Sequence, residues 1–245
     1  MPLPAVRALS LGLLVIVWSG LALALGPAHL PSPWAVVSRI GALAGTGELF
    51  RDIGVTLARV AVSFLVAMAI GTAAGLAMAR AERLDSLLDP WLVIALNVPA
   101  LVTIILCYIW FGLGELAAIV AVAANKIPTV VVTIREGGRA FDAGLIEVAE
   151  AFGISRRRRL TRIYLPQLYP FLMAAARSGL ALIWKIVLVV ELLGRSNGVG
   201  FRLGIYFQFF DITGILAYTA AFAAVVLTLE SWVLRPLDRR ANRWR

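Results

Sequence analysis

The chain contains six apolar runs, each close to the length that a helix needs to cross a lipid bilayer. A spanning helix requires about 20 mainly apolar residues, because the hydrocarbon core is about 30 Å thick. Apolar residues make up 61% of the chain and charged residues 15%, well below the roughly 25% of soluble domains. We therefore predict an all-α transmembrane fold with six spanning helices. The six runs are residues 8–26, 53–79, 91–111, 115–134, 169–191 and 212–234. We expect the charged residues 80–90 to form a short loop and the third run to be broken at Pro99.

Basic residues are distributed unevenly between the segments that connect these runs. With a cytoplasmic amino terminus, the inner segments carry fifteen arginines and the outer segments carry four. Because cytoplasmic segments are enriched in Arg and Lys, this count places both termini and the central loop, residues 135–168, in the cytoplasm. The net charge of +9 therefore indicates membrane orientation, and we expect no nucleic-acid partner.

These runs define three regions. We assign residues 1–52 to an amino-terminal membrane helix and an outer segment, residues 53–234 to the main transmembrane domain, and residues 235–245 to a basic cytoplasmic tail. The sequence Ala22-Leu23-Ala24 is similar to a signal-peptidase site, which leaves a cleaved first run open. The length of that run exceeds a usual signal core and favours a retained helix.

Small side chains recur every four residues along the second run, which indicates close helix packing. A ridge of small residues lets a second helix approach closely within a membrane. The residues of this ridge are Ser63, Ala67, Gly71, Gly75 and Ala79.

The longest polar interruption lies within the central loop and has the local signals of two short helices. Asp142 can cap the start of the first helix, and apolar residues at Leu145, Val148, Ala149 and Phe152 have helical spacing, with Glu147 and Glu150 opposite. Gly153 ends that helix, since glycine tolerates a left-handed conformation. Ser155 can cap a second, basic helix, and Pro166 is expected to limit it.

Six residues of this loop have the spacing of the EAA motif of ATP-binding-cassette (ABC) importer permeases, which the chain resembles. That motif reads Glu-Ala-Ala, three residues, Gly, nine residues, Ile, one residue, Leu-Pro, and Val148 is the one departure. Three shorter stretches, Asn97 to Ala100, Trp110 to Gly112 and Asn197 to Gly200, are similar to the sulfonate, taurine and nitrate branch of these permeases. The six matching residues are Glu147, Ala149, Gly153, Ile163, Leu165 and Pro166.

The resemblance implies an architecture and a set of partners. It implies a homodimer of six-span permeases in the bacterial inner membrane, two copies of an ABC ATPase, and an extracytoplasmic solute-binding protein. The central loop would dock in a groove on the ATPase. The transported solute would be a small anion, similar to a sulfonate, taurine or nitrate. For the four arginines Arg156 to Arg159 we expect contact with phosphates of membrane lipid, because basic residues beside a membrane attract anionic headgroups.

The chain lacks the motifs of a catalytic subunit. Neither of its two lysines lies in a Gly-Lys-Ser/Thr phosphate loop, so we expect ATP hydrolysis on a separate subunit and no cofactor. Gly194-Arg195-Ser196-Asn197-Gly198 fits a hydrolase pattern, but no histidine follows it. No His or Cys cluster has metal-ligand spacing. An ion-coupled secondary transporter and a membrane assembly protein remain as alternatives.

Polar residues within the spans are candidates for the solute path. A cation near mid-membrane costs about 2.5 to 3.5 kcal/mol on insertion scales, so it should face water, a partner or another helix. Lys185 is our main candidate for attracting an anion. For Arg177 we favour a structural role. The candidate path residues are Asn97, Lys126, Arg177 and Lys185.

Overall fold

The computed structural model describes residues 3–234, and all the regular structure within them is helical. The basic tail predicted for residues 235–245 lies outside the described residues. The helices are α1 (Leu3–Leu25), α2 (Pro33–Gly45), α3 (Glu48–Arg80), α4 (Glu82–Asn97), α5 (Ala100–Phe111), α6 (Glu115–Arg139), α7 (Ala143–Ala151), α8 (Arg156–Arg159), α9 (Leu165–Gly194), α10 (Val199–Gln208) and α11 (Ile212–Leu229), with π-helical turns at Leu160–Tyr164 and Glu230–Leu234.

The all-α transmembrane fold is confirmed, although the six runs are not six equivalent straight helices. By length and composition, four helices in the described residues can cross a membrane: Glu48–Arg80, Glu115–Arg139, Arg156–Gly194 and Ile212–Trp232. A fifth span is available if α4 and α5, which meet at 99°, count as one broken span. The first run forms α1, whose apolar part Leu9–Leu25 is shorter.

The break predicted at Pro99 is the junction of α4 and α5. Proline lacks an N–H group and disfavours a helical conformation at the preceding residue, and Val98 is accordingly extended with ψ 125°. Asn97 lies at the last position of α4, and its side-chain amide donates to the carbonyl of Val93 at 2.8 Å. The short motif at residues 97–100 therefore marks a sharp bend.

Two local predictions are wrong. Residues 80–90 were expected to form a loop, but α4 begins at Glu82 and includes most of them, since acidic residues in the first turn favour a helix start. Pro166 was expected to limit the second loop helix, yet α8 continues through a π-helical turn into α9 as far as Gly194. A π-helical turn changes the hydrogen-bond partners just before the proline, so the missing N–H does not end the helix.

The described chain divides into two compact units. One contains residues 3–56 and 191–227, and the other contains residues 57–190 and 228–234. The second unit is built around α6, whose buried alanines Ala117, Ala118 and Ala121 pack with apolar residues of α5 and α9.

The small-residue ridge of α3 packs closely against α6, as predicted. A Cβ atom added at Gly71 would lie 2.6 Å from the Cβ of Val130. One added at Gly75 would lie 2.8 Å from the carbonyl oxygen of Val131. Only glycine permits this approach, which places the two helices side by side along several turns.

Candidate coupling loop and membrane path

The loop helix α7 begins and ends as the sequence predicts. The Asp142 carboxylate accepts a hydrogen bond from the backbone N–H of Leu145 at 3.2 Å, which satisfies one of the unpaired donors of the first turn. At the other end Gly153 has φ +60°. The N–H groups of Gly153 and Ile154 donate to the carbonyls of Glu150 and Ala149, both at 3.0 Å, the paired bonds of a glycine-terminated helix.

The apolar side of α7 is largely uncovered in the described residues. Leu145 and Val148 are about half exposed, and the Phe152 ring is 80% exposed. Ala149 alone is buried on this helix, while Glu147 points to solvent. The helix therefore presents three apolar side chains at one-turn and two-turn spacing. Exposed apolar surface of this kind often marks a protein interaction site.

Contacts on both sides hold α7 at the base of α9. Glu150 forms an ion pair with Arg159 of α8 at 2.7 Å. On the other side, the side-chain oxygen of Gln167 accepts from the backbone N–H of Asp142 at 2.8 Å. These two contacts connect the beginning of α7 to α9 and its end to α8, so a displacement of α7 would be transmitted to α9.

The remaining residues of the EAA-like pattern lie around the junction of this loop with α9. Ile163 lies in the π-helical turn and is half-buried, whereas Leu165 and Pro166 are exposed at the start of α9. Tyr164, between them, packs against the Phe141 ring at 5.4 Å and lies 5.6 Å from the guanidinium of Arg80. The six residues of the pattern therefore lie before, within and after the π-helical turn that joins the loop to α9.

Apart from Arg159, which pairs with Glu150, the arginines of the central loop fall into two groups. Arg135 forms ion pairs with Asp85 at 3.2 Å and with Asp89 at 2.5 Å, and Arg139 also pairs with Asp85. Sequence reasoning missed these pairs because it took the acidic residues for part of a loop. In the second group the side chains are exposed; they are Arg156, Arg157, Arg158 and Arg162.

The candidate path residues occupy different environments. Arg177 and Lys185 are exposed and lie on one face of α9, and Asn97 is exposed at the end of α4. Lys126, in the middle of α6, is 1% exposed. A recess of about 380 Å³ lies beside the α4–α5 bend and is lined by Val98, Thr103 and Asn125, among others.

A buried polar network, which sequence reasoning missed, occupies the unit of residues 3–56 and 191–227. The Glu191 carboxylate accepts from the Thr56 hydroxyl at 2.9 Å and from the N–H of Gly200 at 2.8 Å. Asp52 accepts from Arg202 at 2.8 Å and from the Tyr218 hydroxyl at 3.1 Å. The network fixes the start of α10, and with it the motif of residues 197–200.

The network favours the charged form of its arginine. Burial alone would lower the pKa of the Arg202 guanidinium, but the hydrogen bond and the charge of Asp52 outweigh that effect and raise it. The available sequence signal was the four-residue spacing of Asp52 and Thr56, which places two polar side chains on one face of an apolar helix.

A second ion pair, partly buried, lies in the unit of residues 57–190. Arg59 of α3 is 4% exposed and binds both oxygens of the Glu115 carboxylate, at 2.6 and 2.8 Å. This two-point contact compensates the charge of a cation within a span.

Comparison with known proteins identifies a family. Residues 67–243 match the family described as binding-protein-dependent transport system inner membrane component. The putative aliphatic sulfonates transport permease of Bacillus subtilis is 31% identical over 88% of this chain and 78% of its own length. The taurine transport system permease of Escherichia coli is 28% identical over 99% of this chain and 92% of its own.

Solved structures support the same fold. A chain of the MetNI methionine ABC transporter, in an inward-facing conformation, superposes with a TM-score of 0.67. It is 20% identical, and the match covers 82% of this chain and 99% of that one.

Proposed function

Because the chain belongs to the family of binding-protein-dependent transport system inner membrane components, we propose that it forms the membrane passage for a sulfonate-like anion while a separate subunit hydrolyses ATP. Membership of the family makes it the permease of an ABC importer, a multi-pass inner-membrane subunit without catalytic activity. The proposed solute class rests on the relatives named for aliphatic sulfonates and for taurine.

The uncovered apolar side of α7 is the observation that carries the coupling part of this proposal. Leu145, Val148 and Phe152 present a stripe that the described residues do not cover. Burying one such side chain in a partner contributes about 1.5 to 3 kcal/mol. We therefore assign α7 as the helix that enters the ATPase groove. Gly153 serves as its turn, and Glu147 is available for a polar contact with the partner.

Replacing Phe152 tests this assignment. Because its ring is 80% exposed, Phe152→Ser should change the free energy of unfolding of the permease little. If the ring docks in the ATPase, the variant should bind the ATPase more weakly and lose ATP-driven uptake. Co-purification of the ATPase from membranes and uptake in reconstituted vesicles measure the two effects.

Phe209 provides the matched control. Its ring is 78% exposed and lies at the end of α10, so Phe209→Ser makes the same chemical change at the same exposure. The control should retain ATPase binding. Equal ATPase binding and uptake in Phe152→Ser and wild type would contradict the role assigned to α7.

The solute path is proposed to run along the exposed face of α9. Lys185 lies in the interior of this spanning helix and is exposed, and a cation facing lipid there would cost about 2.5 to 3.5 kcal/mol. A water-filled passage, or a second copy of the permease, avoids that cost. We therefore assign Lys185 to the passage, where it attracts the anion, and place Asn97 and Arg177 beside the same route.

The full assembly follows from this role. We propose two copies of this permease, two ATPase subunits, and an extracytoplasmic binding protein that delivers the solute. The exposed face of α9 is the surface on which a second copy would close the passage. No cofactor enters the proposal, since the energy comes from ATP on the partner.

A further inference from the structure

Lys126 is a buried cation in the middle of a spanning helix. It lies eleven residues after the start of α6 and thirteen before its end, which is about 16 Å and 20 Å along the axis. Its side chain is 1% exposed. Its Nζ atom makes no hydrogen bond with any residue that the structure describes.

The lysine fits against α9 because the facing residue is glycine. A Cβ atom added at Gly179 would lie 2.5 Å from Cε and 3.2 Å from Nζ of Lys126. On the same side of α9, one turn away in each direction, Ala175 and Ile183 are fully buried. The ammonium group is therefore held in an apolar contact between α6 and α9.

Neither of the two carboxylates of α6 serves as its counter-charge. Glu115 binds Arg59, and Glu136 lies 3.4 Å from Arg139 and 3.6 Å from Arg135. Both are at least ten residues from Lys126 along α6. An unpaired ammonium in such a place destabilises the fold, so a counter-charge from outside the chain would be strongly bound.

The geometry points to a second anion contact at Lys126, covered by α9 in this conformation; we propose that the solute reaches it when α9 separates from α6 at Gly179. Lys185 is six residues beyond Gly179, about 9 Å along α9 and about 120° around it. An anion held by Lys185 would thus be on another side of the same helix. Movement of α9 would transfer the anion from the exposed lysine to the covered one. The inference rests on the proposed function, because it takes the solute to be anionic.

The chain has two lysines, so lysine methylation in peptides of this chain reports on these two positions. The complete importer in lipid nanodiscs is treated with formaldehyde and a reducing agent, and methylation at each lysine is measured by peptide mass spectrometry. Ethanesulfonate, which has no amine, is the anion probe. Without nucleotide, Lys185 should be methylated and Lys126 should not.

Trapping the importer with ATP and vanadate separates the outcomes. We expect Lys126 to become methylated in the trapped complex, and ethanesulfonate to reduce that methylation. A Lys126 that stays unmodified in both states would overturn the inference and make the residue part of the helix packing. Methylation that ethanesulfonate does not reduce would overturn it as well, because opening would then occur without an anion contact.

Methylation of Lys185 tests the proposed function separately from the second anion contact at Lys126. Protection of Lys185 by ethanesulfonate, together with ATP-driven uptake in matched vesicles, tests the function itself. If both are observed and Lys126 is unprotected, the function stands and the second contact is wrong. If Lys185 is also unprotected, the anionic solute class fails, and the second contact fails with it.

Discussion

At the scale of single residues, local chemistry could be predicted and long-range pairing could not. The cap at Asp142 and the left-handed Gly153 follow from rules that involve neighbouring residues only, and both are confirmed. The Glu191 carboxylate instead meets Thr56 across 135 residues of chain. The sequence around each residue gives no sign that the two are in contact, so the buried network could be found only in the structure.

Gly153 supports a residue-scale prediction. A Cβ added there meets no heavy atom within 4 Å, so the cost of substitution lies in the backbone. Gly153→Val should cost about 1 kcal/mol or more, because a β-branched residue disfavours φ +60°. Gly153→Asn is the matched control, since asparagine tolerates that conformation. We expect lost ATP-driven uptake in the valine variant and retained uptake in the asparagine variant, with equal amounts in the membrane. Normal uptake by Gly153→Val would contradict the turn's role.

At the scale of helices, hydrophobicity predicted where the chain is apolar but not where each helix begins and bends. The runs were visible because the bilayer demands long apolar segments. The helical residues 82–90 were missed because their charges suggested a loop, while in the structure Asp85 and Asp89 are neutralised by Arg135. Pro166 led to the opposite error, because a helix end was predicted where the helix continues. A single proline is tolerated next to a π-helical turn.

The contact between α3 and α6 supports a prediction at this scale. Gly75→Ala would place a methyl group 2.8 Å from the backbone of α6, and such overpacking typically costs about 1 to 3 kcal/mol. Gly54→Ala changes the same helix at a position with no heavy atom within 4 Å, where alanine favours the helix by up to about 1 kcal/mol. Thermal unfolding in detergent should therefore occur at lower temperature for Gly75→Ala only. Equal transition temperatures would argue against close packing at this ridge.

At the scale of the whole molecule, the family match over residues 67–243 identifies an importer permease. The arginine count predicts its orientation in the membrane. The alternatives of a secondary transporter and of an assembly protein lose their support, because the relatives are named as transport permeases. The assignments of coupling and path residues stay predictions, since both depend on subunits and a solute that lie outside this chain.

Orientation can be checked by single-cysteine labelling. Ser155 and Ser196 are both exposed, and the native Cys107 is buried, so background labelling should be low. With an impermeant maleimide, Ser196→Cys should react in intact spheroplasts and Ser155→Cys only after the membrane is opened. The reverse pattern would invert the topology that the fifteen-to-four count predicts.

The π-helical turn between the loop and α9 also fixes an angle. Each residue of an α-helix advances the chain by about 100° around the axis and about 1.5 Å along it. The five residues Leu160–Tyr164 contain one residue more than an α-helical turn would need. Because the turn absorbs this extra residue, deleting one of the five would leave an α-helical turn and nearly the same orientation of α7 relative to the lysine-bearing face of α9. A deletion of one residue from the α-helical part of α9 before Arg177 would instead rotate that face by about 100° relative to α7.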